Sequence, residues 1–339
     1  MDRRRFLQGL VAAGGLGCLP AVSWAQATSV ESLPELKGKL TLYLGRGEGG
    51  LYENILDAIR KRNPQLELGV RRGPTAALAN AIVAERKAGI DRTDVFWAVD
   101  SGAIGLVNQQ GATRDLPEDL VSQLRAEFRY TNWLPVSGRI RTLPFHTGSL
   151  TADDIPNDVM SLPDTDLRFG WAPAYASFQS FITAMRLLEG EAATTDWIRR
   201  MDEKSKRFAG ELSVVMAAER GEIDVGFANH YYTLRLRNGK PDARVALGFT
   251  ENDAGCLVNA SGIVALNDRQ LAVDFIRYLF TSEVQSFLSR EAYEIPLVEG
   301  IDPPAGLASL DSISPPRVDL TRLADLQPTL KLMRSAGVL

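Results

Sequence analysis

Residues 40–50 read LTLYLGRGEGG, an apolar run that stops at a glycine-rich loop. The first half of this stretch predicts a β-strand that ends at Gly45. The residues after the loop place apolar side chains at spacings of four, one and three, the period of one helix face: Leu51, Ile55, Leu56 and Ile59. The stretch therefore predicts a strand, a loop and an amphipathic helix, the opening unit of an α/β fold.

The same alternation continues along the chain. Strands are predicted near 66–70, 94–99, 136–145, 167–172, 224–228, 245–247 and 257–266, and helices near 76–88, 102–110, 178–188, 193–201, 213–221, 269–280, 283–290 and 320–336. Because no flexible linker separates the two α/β units, we expect a two-lobed clamshell whose chain crosses between lobes more than once. Ligands of open α/β sheets bind at the carboxyl ends of strands, here the loops after Leu44, Val99, Ala172 and Ala228.

The N-terminus has the features of an export signal. A charged start with Arg3 and Arg4 leads into a weakly apolar stretch, and the small residues at 25–27 offer a cleavage point. The paired arginines favour the twin-arginine route into the periplasm over an ordinary secretion signal. Cys18 lacks the preceding leucine of a lipoprotein signal, so we predict a signal peptide at 1–27 without a lipid anchor.

The remaining 312 residues are enough for two lobes. We predict an N-terminal lobe from 28–130 plus about 245–300, and a C-terminal lobe from about 131–244 plus about 301–339. Without the three arginines and one aspartate of the signal, 35 basic and 41 acidic residues leave a net charge of -6. This charge argues against nucleic acid as a partner. Cys256 is then the single cysteine, which excludes an internal disulfide and indicates buried packing.

The loop at 45–50 is also a literal G-x-G-x-x-G, and this pattern leaves an alternative open. Such a loop between a strand and a helix can hold a dinucleotide pyrophosphate. Glu67 would then meet a ribose hydroxyl, and Arg71 and Arg72 a 2′-phosphate. This alternative is a nucleotide-dependent oxidoreductase, although Glu67 falls inside the second predicted strand instead of at its end. The simpler interpretation is a glycine-rich loop that shapes a helix start.

An adjacent tyrosine pair, Tyr231 and Tyr232, follows a predicted buried strand. Such a pair can serve packing alone. Phenolate is, however, a hard anionic donor of the kind that trivalent iron prefers. A free phenol has a pKa of about 10, so a strong Lewis acid is needed to keep two of them ionised side by side at neutral pH.

Several stretches in order carry a resemblance to a known family: YLGRGE (43–48), ANAI (79–82), DVF (94–96), VSGRIR (136–141), APAYASF (172–178), GEID (221–224), NHYY (229–232) and GCLVNASG (255–262). Over essentially its whole mature length the chain resembles the periplasmic ferric-iron-binding proteins, the substrate-binding subunits of iron ABC importers. The resemblance implies a type II-like periplasmic-binding-protein clamshell, a monomer without enzymatic activity. It also implies a small ligand and delivery to an inner-membrane ABC permease.

The resemblance also implies roles for individual residues. Tyr231 and Tyr232 match the family's paired phenolate ligands of Fe(3+). The segment Tyr175, Ala176 and Ser177 matches the cradle of a synergistic anion, phosphate or carbonate. Asn229 and Arg139 match positions that border this anion, and Glu48 is a candidate metal donor from the opposite lobe.

The chain departs from the family at four positions. Gly47 replaces a histidine ligand, Val99 an acidic ligand, Glu211 an anion-binding asparagine, and Phe178 an extra tyrosine. A ferric centre would then need further donors, for which water, Glu48, Asp100 and Glu211 are candidates. These departures also leave open a receptor of the same fold with a changed ligand, an anion or small organic molecule held by Arg46, Arg139 and the helix start.

The two histidines are predicted to be structural or surface residues. His230 adjoins the tyrosine pair, and in an extended segment it would face away from Tyr231. His146 follows the strand predicted over 136–145, close to the expected hinge. No nucleophile motif accompanies a base, and two histidines do not make a zinc triad. The sequence therefore favours a binding protein over an enzyme.

Overall fold

The computed structural model of the protein describes residues 28–45 and 50–339. The predicted signal peptide at 1–27 and the loop residues Arg46, Gly47 and Glu48 lie outside the described residues. Along the described chain, strands and helices alternate as the sequence predicts.

The first part of the sheet is parallel. β1 (Gly38–Gly45) pairs with β2 (Leu66–Gly73) on one side and β3 (Val95–Ala98) on the other. The helices of this part are α1 (Leu51–Arg62), α2 (Thr75–Lys87), α3 (Ser101–Asn108) and the short α4 (Glu118–Val121). β1 stops at Gly45 and α1 starts at Leu51, so the predicted strand–loop–helix unit is confirmed.

The 13-residue strand β4 (Leu134–His146) joins the two halves of the sheet. Its residues 134–140 pair antiparallel with β10 (Val258–Ala265), which also pairs with β3. Its residues 141–146 pair antiparallel with β7 (Val225–Gly226), β8 (Ala228–Asn229) and β9 (Val245–Gly248). One continuous strand thus passes from one half-sheet into the other.

The second half of the sheet extends from β7 to two further strands, β5 (Phe169–Trp171) and β6 (Ser205–Arg207), which run parallel to each other. The strand order is β2-β1-β3-β10-β4-β7-β5-β6, with β8 and β9 also paired to β4. Its helices are α5 (Ala176–Glu189), α6 (Glu191–Asp202), α7 (Glu211–Glu219) and α8 (His230–Gly239).

The C-terminal part is helical: α9 (Gln270–Leu279), α10 (Ser282–Ala292), α11 (Leu310–Ile313) and α12 (Leu326–Ser335). The sequence predicts one helix over 320–336, but a 3-10 helix (Leu320–Ala324) precedes α12. Asp325, with ψ of 57°, interrupts the helical path between them. Other 3-10 helices span Val30–Ser32, Ala126–Phe128, Ala152–Asp154, Val159–Asp164 and Ala254–Cys256.

Large aromatic side chains fill the core on both sides of β4. In the second half, an edge-to-face cluster comprises Trp171, Phe178, Phe181, Trp197 and Phe227. Aromatic pairs of this kind contribute roughly 0.5–1.5 kcal/mol each beyond the area they bury. The second half of the sheet therefore packs against a core of interlocking aromatic side chains.

The Cys256 side chain is buried, and burial raises the pKa of its thiol to about 11. The predicted packing role of this cysteine is confirmed. Among residues 28–45 and 50–339, none of the helices has the length and apolar character that a membrane crossing requires.

Candidate functional site

The tyrosine pair lies in the first turn of a helix. β8 ends at Asn229, which has extended backbone angles and is the N-cap residue of α8, and His230 is the first residue of that helix. The prediction of an extended segment from 229 to 232 is therefore wrong. Successive residues of an α-helix are rotated by about 100°, so Tyr231 and Tyr232 project as neighbours and not to opposite sides.

Three phenols meet at this helix start. The rings of Tyr231 and Tyr232 have centroids 4.6 Å apart. The hydroxyl of Tyr175 lies 2.7 Å from the hydroxyl of Tyr232, and Asn229 Nδ2 donates to the Tyr231 hydroxyl at 3.2 Å. The tyrosine pair is 6% and 9% exposed, and Tyr175 is half-buried. The sequence assigned Tyr175 only to the anion cradle, and its phenol was missed as a neighbour of the pair.

A guanidinium lies over one of these rings. The Arg235 side chain is 4.8 Å from the Tyr231 ring centroid, and its Nη2 donates to the Ala292 carbonyl oxygen at 2.8 Å. A cation above an aromatic face is attracted to the ring and favours a negative charge on the same phenol. Arg235 was not singled out from the sequence, although it lies one helical turn after Tyr231.

A buried carboxylate lies beside the phenols. Glu211 accepts hydrogen bonds from Arg141 Nη1 at 2.7 Å, from the Ser177 hydroxyl and from the Asn229 backbone N–H at 2.8 Å. Arg141 Nη2 also contacts the Ser177 oxygen at 3.1 Å. The structure thus brings Ser177, Asn229 and Glu211 together, and Arg141 is a further member that the sequence did not indicate.

Arg139 and Asp100 make their polar contacts at the loop after β3. Arg139 Nη1 donates to the carbonyl oxygen of Val99. Asp100 is the N-cap residue of α3, and its Oδ1 accepts the Ala103 backbone N–H at 3.0 Å. Arg139 therefore fixes the loop after β3.

A second buried carboxyl group, Glu294, connects α1 to β4. It accepts hydrogen bonds from the Tyr52 hydroxyl at 2.9 Å and from the Ser137 hydroxyl. Burial raises the pKa of Glu294, while Arg139 and Arg235 act in the opposite direction. Burial and the Glu294 charge raise the pKa of Tyr52 well above its ordinary value. Tyr52 and Glu294 are 242 residues apart in the chain, so no local pattern in the sequence could predict their contact.

The histidines have structural roles. His230 is fully buried; its Nδ1 accepts the Ile140 backbone N–H at 3.2 Å, and its Nε2 contacts the Tyr293 carbonyl oxygen at 2.7 Å. Burial lowers the pKa of His230 to about 4. His146 Nδ1 contacts the Ala218 carbonyl oxygen at 2.9 Å. The prediction that His230 faces away from Tyr231 is wrong, because the centroids of the two rings are 5.5 Å apart.

The side chains required for a dinucleotide site are separated. Glu67 pairs with Lys39 in β1, six residues before Gly45, which is about 20 Å at 3.3 Å per strand residue. Arg72 Nη2 donates to Glu53 at 2.7 Å, and Arg71 donates to Glu85 at 3.1 Å. Glu67 lies at the wrong end of the strand for a ribose at the Gly45 loop.

A metal at this site would depend on phenol oxygens. In the part of the chain that the structure describes, no three histidine, cysteine, aspartate or glutamate side chains form a group able to hold a metal ion. Tyrosine is outside that set, and the cluster of Tyr175, Tyr231 and Tyr232 lies at two helix N-termini, α5 and α8. Helix N-termini favour negative charge, which suits phenolates.

Comparison with known sequences gives related proteins over most of the chain. The family described as "Bacterial extracellular solute-binding protein" matches residues 40–294. The major ferric iron-binding protein of Neisseria meningitidis serogroup B is 26% identical over 257 residues, which cover 72% of this chain and 78% of that protein. The Fe(3+)-binding periplasmic protein of Serratia marcescens is 26% identical over 285 residues, 81% of this chain and 83% of that protein.

Solved structures share the fold. Iron-bound HitA from Pseudomonas aeruginosa has a TM-score of 0.76 at 24% identity, covering 88% of this chain and 99% of that one. The Trichodesmium protein IdiA (FutA), in complex with iron and citrate, has a TM-score of 0.76 at 21% identity, covering 89% and 100%. The binding protein AfuA from Actinobacillus pleuropneumoniae, with fructose-6-phosphate, has a TM-score of 0.68 at 15% identity, covering 89% and 100%. The predicted two-lobed α/β fold is confirmed.

Proposed function

Because the chain belongs to the bacterial extracellular solute-binding protein family, we propose that it is the periplasmic receptor of an ABC importer and binds ferric iron through Tyr231 and Tyr232. The resemblance to ferric-iron-binding proteins is confirmed by the curated relatives, and the prediction of a binding protein and not an enzyme is confirmed by the family. The observation that carries the iron proposal is the phenol cluster at the start of α8.

The chemistry of the cluster suits a trivalent cation. Phenolate oxygens are hard donors, and a metal replaces the phenol protons when it binds. The N-terminus of α8 and the Arg235 guanidinium both stabilise negative charge on Tyr231. Tyr175 supplies a third phenol 2.7 Å from Tyr232, which partly compensates for the ligands that the chain lacks at Gly47 and Val99.

Further donors and the route of delivery belong to the same proposal. Asp100 at the start of α3 is a further candidate donor, and Glu48, which lies outside the described residues, is the other donor that the sequence predicts. Phosphate or carbonate is the predicted synergistic anion at Tyr175, Ala176 and Ser177. The receptor would be exported by the twin-arginine route, act as a monomer and deliver its ion to an inner-membrane permease.

The proposal is tested by colour. Ferric phenolates absorb visible light by charge transfer, so metal-free protein titrated with ferric citrate should develop a visible band. The double variant Tyr231→Phe/Tyr232→Phe should lose the band, and its Kd for iron should rise about 100-fold or more, on the order of 3 kcal/mol. Release of protons on binding, followed in weakly buffered solution, gives an independent measurement.

Tyr130→Phe is the matched control. The Tyr130 hydroxyl accepts the Leu320 backbone N–H at 3.3 Å, and its ring packs on Trp133, away from the phenol cluster. This variant should keep the full band. A double variant as coloured as the unsubstituted protein would refute the assignment of the two ligands.

A changed ligand is the second candidate, favoured by one observation: the position of an acidic family ligand is Val99, which has no donor atom. AfuA, which has the same fold, is described with fructose-6-phosphate. Two results together would support this candidate against iron. The protein would stay colourless with ferric citrate, and calorimetric titration with a sugar phosphate would show a heat of binding.

A further inference from the structure

The carboxylate of Glu211 occupies a set of donors that is suited to an anion. Glu211 is the first residue of α7, and its side chain is 0% exposed, while that of Arg141 is 3% exposed. One carboxylate oxygen accepts from Arg141 at 2.7 Å and from the Ser177 hydroxyl, and the other accepts the Asn229 backbone N–H at 2.8 Å. A guanidinium, a hydroxyl and an N–H at a helix start together bind phosphate or carboxylate groups in proteins.

The free-energy cost of burying the Glu211 carboxylate explains why it takes up all of these donors. A buried carboxylate is costly unless it is paired and hydrogen-bonded, and the donors of β4, α5 and the α8 N-cap satisfy both oxygens of Glu211. An anion from solution would need the same donors. It would also meet a buried negative charge at short range, where the repulsion is only weakly screened.

The carboxylate is linked directly to the phenols. Asn229 gives its backbone N–H to Glu211 and its side-chain amide to the Tyr231 hydroxyl at 3.2 Å. Ser177 lies two residues after Tyr175, whose hydroxyl is 2.7 Å from that of Tyr232. Glu211 therefore holds the residues that position the phenol cluster from both sides.

We propose that Glu211 is a built-in anion of this site, a positioning residue that takes the place of phosphate or carbonate, so that ferric iron binds without an anion from solution. The inference rests on the proposed binding of iron by the tyrosine pair. It replaces the predicted synergistic anion with a side chain of the protein itself. Removal of the carboxylate should reopen the subsite to phosphate.

The test compares iron binding with and without phosphate. Metal-free protein in a buffer freed of phosphate and carbon dioxide receives ferrous chloride, which pure oxygen oxidises to ferric iron in a sealed cuvette. The unsubstituted protein should form its full charge-transfer band in this buffer, and millimolar phosphate should change its Kd by less than about twofold. For Glu211→Ala, iron affinity should fall by about tenfold or more without phosphate and recover when phosphate is added.

A second readout needs no iron. In the Glu211→Ala variant, the buried Arg141 loses the carboxylate with which it pairs. Phosphate that binds to Arg141 should therefore raise the Tm of this variant. The Tm of the unsubstituted protein should not change when phosphate is added. The matched control is Glu219→Ala, at the other end of α7, where Glu219 accepts from Lys240 at 2.7 Å. This control should behave as the unsubstituted protein in both measurements.

The outcomes separate the two proposals. An unsubstituted protein that colours only with phosphate would overturn the built-in anion and leave iron binding intact. A protein that never colours would refute iron binding, while the Tm arm would still test the anion subsite. Phosphate with no effect on either the iron affinity or the Tm of Glu211→Ala would also overturn the inference. If Glu211→Ala does not fold, the phosphate dependence of the unsubstituted protein alone decides it.

Discussion

A single imidazole ties three elements together beside the candidate site. The His230 ring accepts from the Ile140 N–H in β4 and, because a carbonyl oxygen can only accept, donates through Nε2 to Tyr293 after α10. Both contacts require the neutral tautomer with the proton on Nε2. Burial is the main reason that its pKa is lowered from 6.5 to about 4, with smaller contributions from Arg235 and Arg139.

This imidazole makes stability depend on pH. Between pH 6.5 and about 4 the unfolded chain binds a proton at His230 that the folded chain does not. The free energy of unfolding therefore falls as the pH falls through this window, by about 3 kcal/mol when complete. His230→Gln, which cannot titrate, should lose less stability between pH 7 and pH 4 in urea unfolding experiments. Parallel pH profiles for the two proteins would contradict this prediction.

At the residue scale, the sequence offered signals only for contacts between residues that are near one another in the chain. The structural role of His230 was predicted, yet its orientation was argued from an extended segment that is the first turn of α8. An N-cap asparagine before an aromatic run was the available signal. Arg141 and Glu294 were missed because their partners, Glu211 and Tyr52, are 70 and 242 residues away.

At the scale of elements, α3 and the 3-10 helix Leu320–Ala324 are in contact through a glycine. A Cβ on Gly105 would lie 2.3 Å from the Thr321 carbonyl oxygen and 2.9 Å from the Ala324 Cβ. Both contacts are closer than unstrained packing allows. The C-terminal segment thus depends on the absence of a side chain at this position.

Gly105→Ala should therefore destabilise the protein, by about 1–3 kcal/mol from overpacking. Helix propensity alone would give the opposite sign, since alanine in a helix interior is favoured over glycine by roughly 0.5–1 kcal/mol. The control is Gly239→Ala in α8, where a Cβ would meet nothing within 4 Å; it should be neutral or slightly stabilising. Equal midpoints of urea unfolding for the two variants would show that the close approach has no cost.

For two apolar segments, the element boundaries agree with the sequence to within two residues. The predicted helix over 102–110 is α3 at Ser101–Asn108, and the predicted strand over 257–266 is β10 at Val258–Ala265. The predicted helix over 320–336 was too long, because apolar periodicity continues across Asp325 although the backbone does not. Periodicity reports which side chains are buried and not whether one helix carries them.

For the whole molecule, β4 is the connection on which closure would depend. It pairs with β10 up to Ile140 and with β8 from Arg141 onward, so the strand passes from one half-sheet to the other between these two residues. Arg141 holds Glu211 on the far side of that point, and Arg139 holds the Val99 loop on the near side. Iron with donors from both lobes would favour the closed arrangement.

The whole-molecule prediction is a smaller radius of gyration with iron. Small-angle X-ray scattering of the unsubstituted protein should show compaction on addition of ferric citrate at saturating concentration. Tyr231→Phe/Tyr232→Phe should scatter identically with and without iron, because it cannot hold an ion to which the opposite lobe could bind. An iron-loaded, coloured protein with unchanged dimensions would rule out closure while leaving the metal ligands standing.

At this scale the two-lobed, type II-like fold was predicted and is confirmed, but the order of the strands was not predicted. Alternating strands and helices predicted two α/β units, and that alternation is a local property of the sequence. The insertion of β10 between β3 and β4 was not predicted, because β10 and β4 are 124 residues apart at Ser137 and Ser261. The predicted lobe boundaries stay a prediction.

The buried Cys256 thiol has one more consequence. With its pKa near 11 and its sulfur enclosed, it presents almost no thiolate to an alkylating reagent while the chain is folded. Residues 28–339 contain no other cysteine. The rate at which maleimide modifies the protein therefore measures how often the fold opens and exposes this thiol. A ligand that stabilises the folded state should slow the modification, so the degree of slowing reports how tightly that ligand binds, without a dye or a reporter group.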